Sequence, residues 1–146
     1  MSTSTRGPEQ LSRFALEPRR AVGPLRFGAA VVDYPDLLIP VVIDAVEREE
    51  LEYDEYAVVG LEEALVVYAD AEGRIDSVSF YESCLVDGRE LIEMGVGELL
   101  VVLGAPDDIE AEDIGDELEL LYAYDSLGLT IWTVDGRVCV VQASGG

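Results

Sequence analysis

The stretch Asp107–Glu119, DDIEAEDIGDELE, places eight carboxylates in thirteen residues. Carboxylates at that density can ligate a hard cation, share a proton as an acid/base pair, or rim a surface for a basic partner. Read as a calcium loop starting at Asp108, the acids Asp108, Glu110, Glu112, Asp116 and Glu119 occupy positions one, three, five, nine and twelve. Position six, where the sharp turn needs glycine, is Asp113, and no strong helix flanks the segment, so no metal is expected there. A glycosidase-like carboxylate pair is defined by separation in space, and with 31 acids in the chain two neighbours carry little information. The remaining readings are a solvated connection between a helix and a strand, or a charged rim.

A second acidic group, EREELEYDE, holds Glu47, Glu49, Glu50, Glu52, Asp54 and Glu55. Both groups border runs that carry tyrosine. Aromatic residues on strands are most often core, but an exposed set ringed by acid has the layout of an interface hot spot. The candidate partner-binding residues are therefore Tyr53 and Tyr56 beside the first group, Asp107, Asp108, Glu110 and Glu112 within the second, and Tyr122 and Tyr124 on the run that follows. Trp132 is a further candidate for the aromatic face.

The net charge of −22 repels phosphate backbones and anionic lipid, which argues against nucleic acid and membrane as partners and favours a basic protein. Acidity that serves only solubility or a salty cytoplasm is the competing explanation. The nine basic residues are all arginine, and there is no histidine. Imidazole bases, Ser-His-Asp or Cys-His sites and histidine-ligated zinc are thereby excluded, as are lysine Schiff bases and a phosphate-loop lysine. Cys84 and Cys139 stand in apolar settings and read as two buried thiols. No cofactor is expected. The N-terminal residues lack the apolar stretch of a secretory signal, and the expected location is the cytoplasm.

These residues must be positioned by β-structure. ELELLYAYD puts Leu118, Leu120, Tyr122 and Tyr124 on one face at period two. LGLTIWTVDGRVCVVQ reads as a hairpin, because Asp135-Gly136 supplies the positive φ of a tight turn. ALVVYADAEGRIDSVSFYE repeats the scheme around Gly73, and LRFGAA matches LIEMGVG. GVGELLVVLGAPD reads as a short helix closed by Gly104 and Pro106. In the first half, Pro40 is placed at the first position of a helix through Val42, Ala45 and Val46, followed by a strand over LEYDEYAVV. The expected organisation is a flexible arm over 1–21 and two tandem units, 22–87 and 88–146, within one continuous domain. The expected class is α+β, an antiparallel sheet with short helices on one face.

The repeated pattern resembles the BamE (SmpA/OmlA) module and the plan of the β-lactamase inhibitory protein. The residues that carry it are GPLRFG, Gly95, Leu103-Gly104-Ala105-Pro106 and the Asp135-Gly136 hairpin. The first unit lacks a clean Gly–helix–LG-x-P run. The resemblance implies a protein that works by contact, through its sheet face and loops. The combined expectation is a non-enzymatic acidic binding protein, an inhibitor or immunity-type protein that occludes a basic partner such as a toxin domain. The alternatives are a carboxylate-dependent enzyme for a small ligand or metal, and a salt-adapted structural module.

Overall fold

The computed structural model describes residues 14–41, 54–114 and 117–145, with the side chains of 112–118 left aside. Its centre is an eight-stranded antiparallel sheet made from two four-stranded meanders. The first meander runs β4 (Leu38–Pro40), β5 (Asp54–Val58), β6 (Leu65–Ala69), β7 (Ile75–Phe80). The second runs β10 (Asp108–Ile114), β11 (Glu117–Tyr124), β12 (Leu129–Val134), β13 (Arg137–Ser144). The last strands of the two meanders pair with each other, so the order across the sheet is β10-β11-β12-β13-β7-β6-β5-β4. A small three-stranded sheet of β1 (Leu16–Glu17), β2 (Ala21–Val22) and β3 (Leu25–Arg26) precedes the first meander. A hairpin of β8 (Leu85–Val86) and β9 (Arg89–Glu90), then helix α1 (Val96–Leu103), precede the second.

Strand pairing puts alternate residues on opposite faces. One row, Tyr56–Val67–Val78–Ala143–Leu129–Tyr124, crosses six strands by direct pairing. Its four central members are at most 2% exposed. This face packs with Phe14, Leu16, Val22 and Leu25 of the N-terminal segment, Val86 and Leu91 near the second hairpin, and Leu99 of α1 in a single core. Residues 14–21, read from sequence as part of the arm, thus contribute two large buried side chains; residues 1–13 lie outside the described residues.

The two GR turns are held by matching bonds. Gly28 N–H donates to Ile75 O and Ile75 N–H to Ala29 O, as Glu93 N–H does to Val138 O and Val138 N–H to Met94 O. Val31 N–H donates to Gly73 O, as Val96 N–H does to Gly136 O. The guanidinium groups of Arg74 and Arg137 donate to the carbonyls of Gly28 and Glu93. By these bonds the counterpart of Gly28 is Glu93, two residues before the Gly95 that the sequence match selects, and both have positive φ (85° and 69°). The turns differ in length. Asp135 and Gly136 both have positive φ, as a two-residue type I′ turn requires. At the other hairpin only Gly73 is positive, and Asp70 Oδ1 accepts from Glu72 N–H and Arg74 N–H, closing a longer loop.

The expected α+β class is corrected: the protein is mostly β, and α1 is the single α-helix among the described residues. Among the described residues, the first unit reaches only a 3₁₀ turn, Val31–Asp33. Pro35 follows directly after Tyr34, which is pushed out of the helical region (φ −123°, ψ 54°), so the turn cannot extend. Pro40 ends the edge strand β4, paired with Tyr56, where a missing N–H breaks no inner ladder. The rest of the helix expected through Val42, Ala45 and Val46 lies outside the described residues.

The glycine turns give a direct test of their equivalence. Neither Gly73 nor Gly136 has a neighbour within 4 Å of an added Cβ, so only backbone strain opposes a side chain. Gly73→Ala and Gly136→Ala should each lower the unfolding free energy by about 1 kcal/mol. The double variant should lose the sum, as urea denaturation will report.

Candidate functional site

Most of the acidic run is strand, not a solvated connection. Asp108–Ile114 forms the edge strand β10, paired along its length with β11. Asp-Ile-Glu-Ala-Glu alternates at period two, a strand signal masked by its carboxylates. Asp108 pairs with Ala123 and Glu110 with Leu121, so these two acids stand in line on one face; the backbone of Glu112 pairs with Glu119, and its side chain lies outside the described residues. No group of three or more metal-binding side chains occurs among the described residues.

Among the described residues, that face is the one the core does not cover. Its central row runs Ala57–Val66–Ser79–Gln142–Thr130–Ala123–Asp108 across seven strands. Beside it lies the row Val140–Trp132–Leu121–Glu110. A groove of about 400 Å³ opens here, with Tyr68, Tyr81, Trp132 and Glu119 around Ser79, Cys139, Val140 and Gln142. A second hollow shares Tyr68 and Gln142 and continues over Ser77, Thr130 and Ser144. The bulge that leaves Cys139 unpaired, between the pairs Trp132–Val140 and Thr133–Val138, lies at one end of the groove. The Cys139 thiol donates to Trp132 O at 3.3 Å.

The described tyrosines among those chosen from sequence lie toward the core, not on the face of the acids. Tyr122 and Tyr124 are buried at 5% and 3%, and the Tyr124 hydroxyl donates to Gly104 O at 3.0 Å, tying β11 to the end of α1. Tyr56 is half-buried against the same core. Tyr53 lies outside the described residues. Because acids at 108 and 110 and tyrosines at 122 and 124 sit on opposite faces of one β-ribbon, they cannot form one surface. The Tyr56 strand is also five strand spacings from β11, about 24 Å away. Asp107 is exposed and its Oδ2 accepts from Asp125 N–H, fixing the entry to β10.

The aromatic residues that do share the acidic face are Tyr68, Tyr81 and Trp132; of these, sequence reasoning singled out only Trp132. Parity held the signal: Tyr68 alternates with the core residues Val67 and Ala69, as Trp132 does with Ile131 and Thr133. Burial, then the nearby Tyr81 hydroxyl, raise the Tyr68 phenol from 10.0 to about 12, with Ser79 opposing and the Glu55 carboxylate adding a smaller push. Burial first, and Glu119 second, push the Cys139 thiol up. Cys84 is buried in the core, and its thiol is raised mainly by that burial.

Compared with family models, curated proteins and solved structures, the chain matches none. Its class is therefore defined by its own geometry: a mostly β protein with one covered sheet face and one open face that is aromatic at the groove and acidic around it. No helix among the described residues is long and apolar enough to cross a membrane.

Two outcomes follow. Tyr124→Phe should cost about 1 kcal/mol of stability through the lost bond to Gly104 and leave the open face unaltered; thermal melting and the unchanged fluorescence of Trp132 will check this. Tyr68 favours its neutral form more in the folded than in the unfolded chain. Its stabilising contribution is therefore complete below pH 10 and is lost as pH rises toward 12. Denaturation midpoints should fall across that interval, and Tyr68→Phe should reduce the fall.

Proposed function

We propose that the chain is a non-enzymatic binding protein, of the inhibitor or immunity type, that covers a basic protein partner in the cytoplasm with the open face of its sheet. The observation that carries this reading is the sharing of one face by Tyr68, Tyr81 and Trp132 with Glu55, Asp108, Glu110 and Glu119. Aromatic groups in a partly dry centre supply affinity, and charges around them exclude wrong partners and speed encounter. The net charge of −22 adds a longer-range attraction for a basic partner. The mechanism is steric: a partner whose functional surface lies on this sheet cannot reach its own target.

Affinity capture from the native host at low and moderate salt, followed by kinetics with the captured protein, tests this. A basic protein should be recovered, and its association rate should fall about tenfold or more as salt screens charges beyond the Debye length of about 8–10 Å. Asp108→Asn with Glu110→Gln should slow association and leave dissociation nearly unchanged. Trp132→Ala should cost about 2 kcal/mol or more, mainly in the dissociation rate. Recovery of no basic partner, or an association rate indifferent to salt and to the two acids, would end the reading.

A further inference from the structure

Resting on that reading, we propose that the groove is an arginine-reading site, in which one arginine side chain of the partner lies between Tyr81 and Trp132 with its guanidinium toward Glu119. The register supplies the spacing. Trp132 pairs with Val140, and Val141 pairs with Phe80, so continuing the ladder one residue sets Tyr81 beside Val140. Tyr81, one residue past the end of β7, donates its N–H to Ala64 O, which continues the pairing of that strand by one bond. Tyr81 and Trp132 thus flank Val140 from the strands on either side, two spacings or about 9–10 Å apart. A flat group held between two rings needs about 7 Å, two contacts of about 3.5 Å each. That backbone spacing leaves room for one planar group between the two side chains.

The chemistry of the walls selects a cation. Trp132, Tyr81 and Tyr68 line the groove, and the faces of aromatic rings attract positive charge. Among the described residues, Glu119 is the one acidic side chain in the lining, and no arginine lines the groove. Its charge reaches the floor, since it contributes, after burial, to holding the Cys139 thiol neutral. Arginine suits this space better than lysine. The guanidinium is planar, stacks on rings, pairs with a carboxylate through two parallel N–H bonds and is weakly hydrated; an ammonium is a compact, strongly hydrated charge. The arginine stem covers Val140, and Gln142 and Ser79 offer polar atoms along the floor.

Trp132 is the only tryptophan in the chain and stands in the groove, so its fluorescence reports occupancy. The full chain should be titrated with the amides of N-acetyl-arginine, N-acetyl-lysine and N-acetyl-citrulline, which differ in charge and planarity. Arginine amide should saturate with a dissociation constant of about 5 mM, the strength of one side chain alone. Lysine amide should bind at least about fivefold more weakly, and citrulline amide, planar but neutral, should not saturate. Tyr81→Ala and Glu119→Gln alter groups that are not buried, and each should weaken arginine about fivefold. Amide NMR shifts confined to Ser79, Val140 and Gln142 would support the placement. Equal responses to arginine and citrulline, or an arginine response that survives both substitutions, would overturn it. A basic partner that binds the face while arginine amide does not would remove this inference alone. Arginine binding without any salt-steered partner would remove the functional reading alone.

Discussion

The pairing of β13 with β7 is the constraint on which the rest of the molecule depends. Four residue pairs, Phe80–Val141 to Ser77–Ser144, join two meanders into one sheet. On the core side of this seam, Val78, Phe80, Val141 and Ala143 are fully buried. Without the seam each meander would expose an inner strand edge, with unpaired backbone groups beside its largest apolar side chains. Truncation of Phe80 would open a cavity at the point where both halves meet, and core phenylalanine losses of this kind cost about 3–5 kcal/mol.

The same pairing creates the candidate site. Tyr68 and Tyr81 belong to the first meander and its end, while Trp132, Glu119 and Cys139 belong to the second. The seam strands provide the floor, through Ser79 from β7 and Val140 and Gln142 from β13. Neither meander alone holds both walls, so the groove exists only because the two are joined. The small side chains of Ser77 and Ser79 at the centre leave the space that the surrounding rings enclose.

The outer edges obey a different requirement. An edge strand invites a second chain to pair with it, and charge or proline there discourages this. At one edge β4 is three residues long and ends in Pro40; at the other, β10 carries Asp108, Glu110, Glu112 and Asp113. The acidic run thus has a structural reason to exist apart from any partner. A strand whose alternate residues are carboxylates has the composition of a loop, so its period of two is easily passed over until its register with β11 is known.

Local rules made part of this protein legible in its sequence. The Asp135-Gly136 turn, the closure of α1 at Gly104 and the alternation of Tyr122 and Tyr124 depend on backbone sterics and on neighbours a few residues away, and each stands where those rules put it. The absence of histidine and lysine removes whole classes of chemistry in any fold. The aromatic groove was a different matter. Tyr68, Tyr81 and Trp132 are ordinary strand residues in sequence, and parity says only that they oppose their neighbours. It does not say which face is covered. That was decided by long-range contact: the N-terminal segment, β8–β9 and α1 all bury apolar side chains against one face and, among the described residues, leave the other open. The choice rests on residues distant along the chain and on a seam whose partners the sequence does not name.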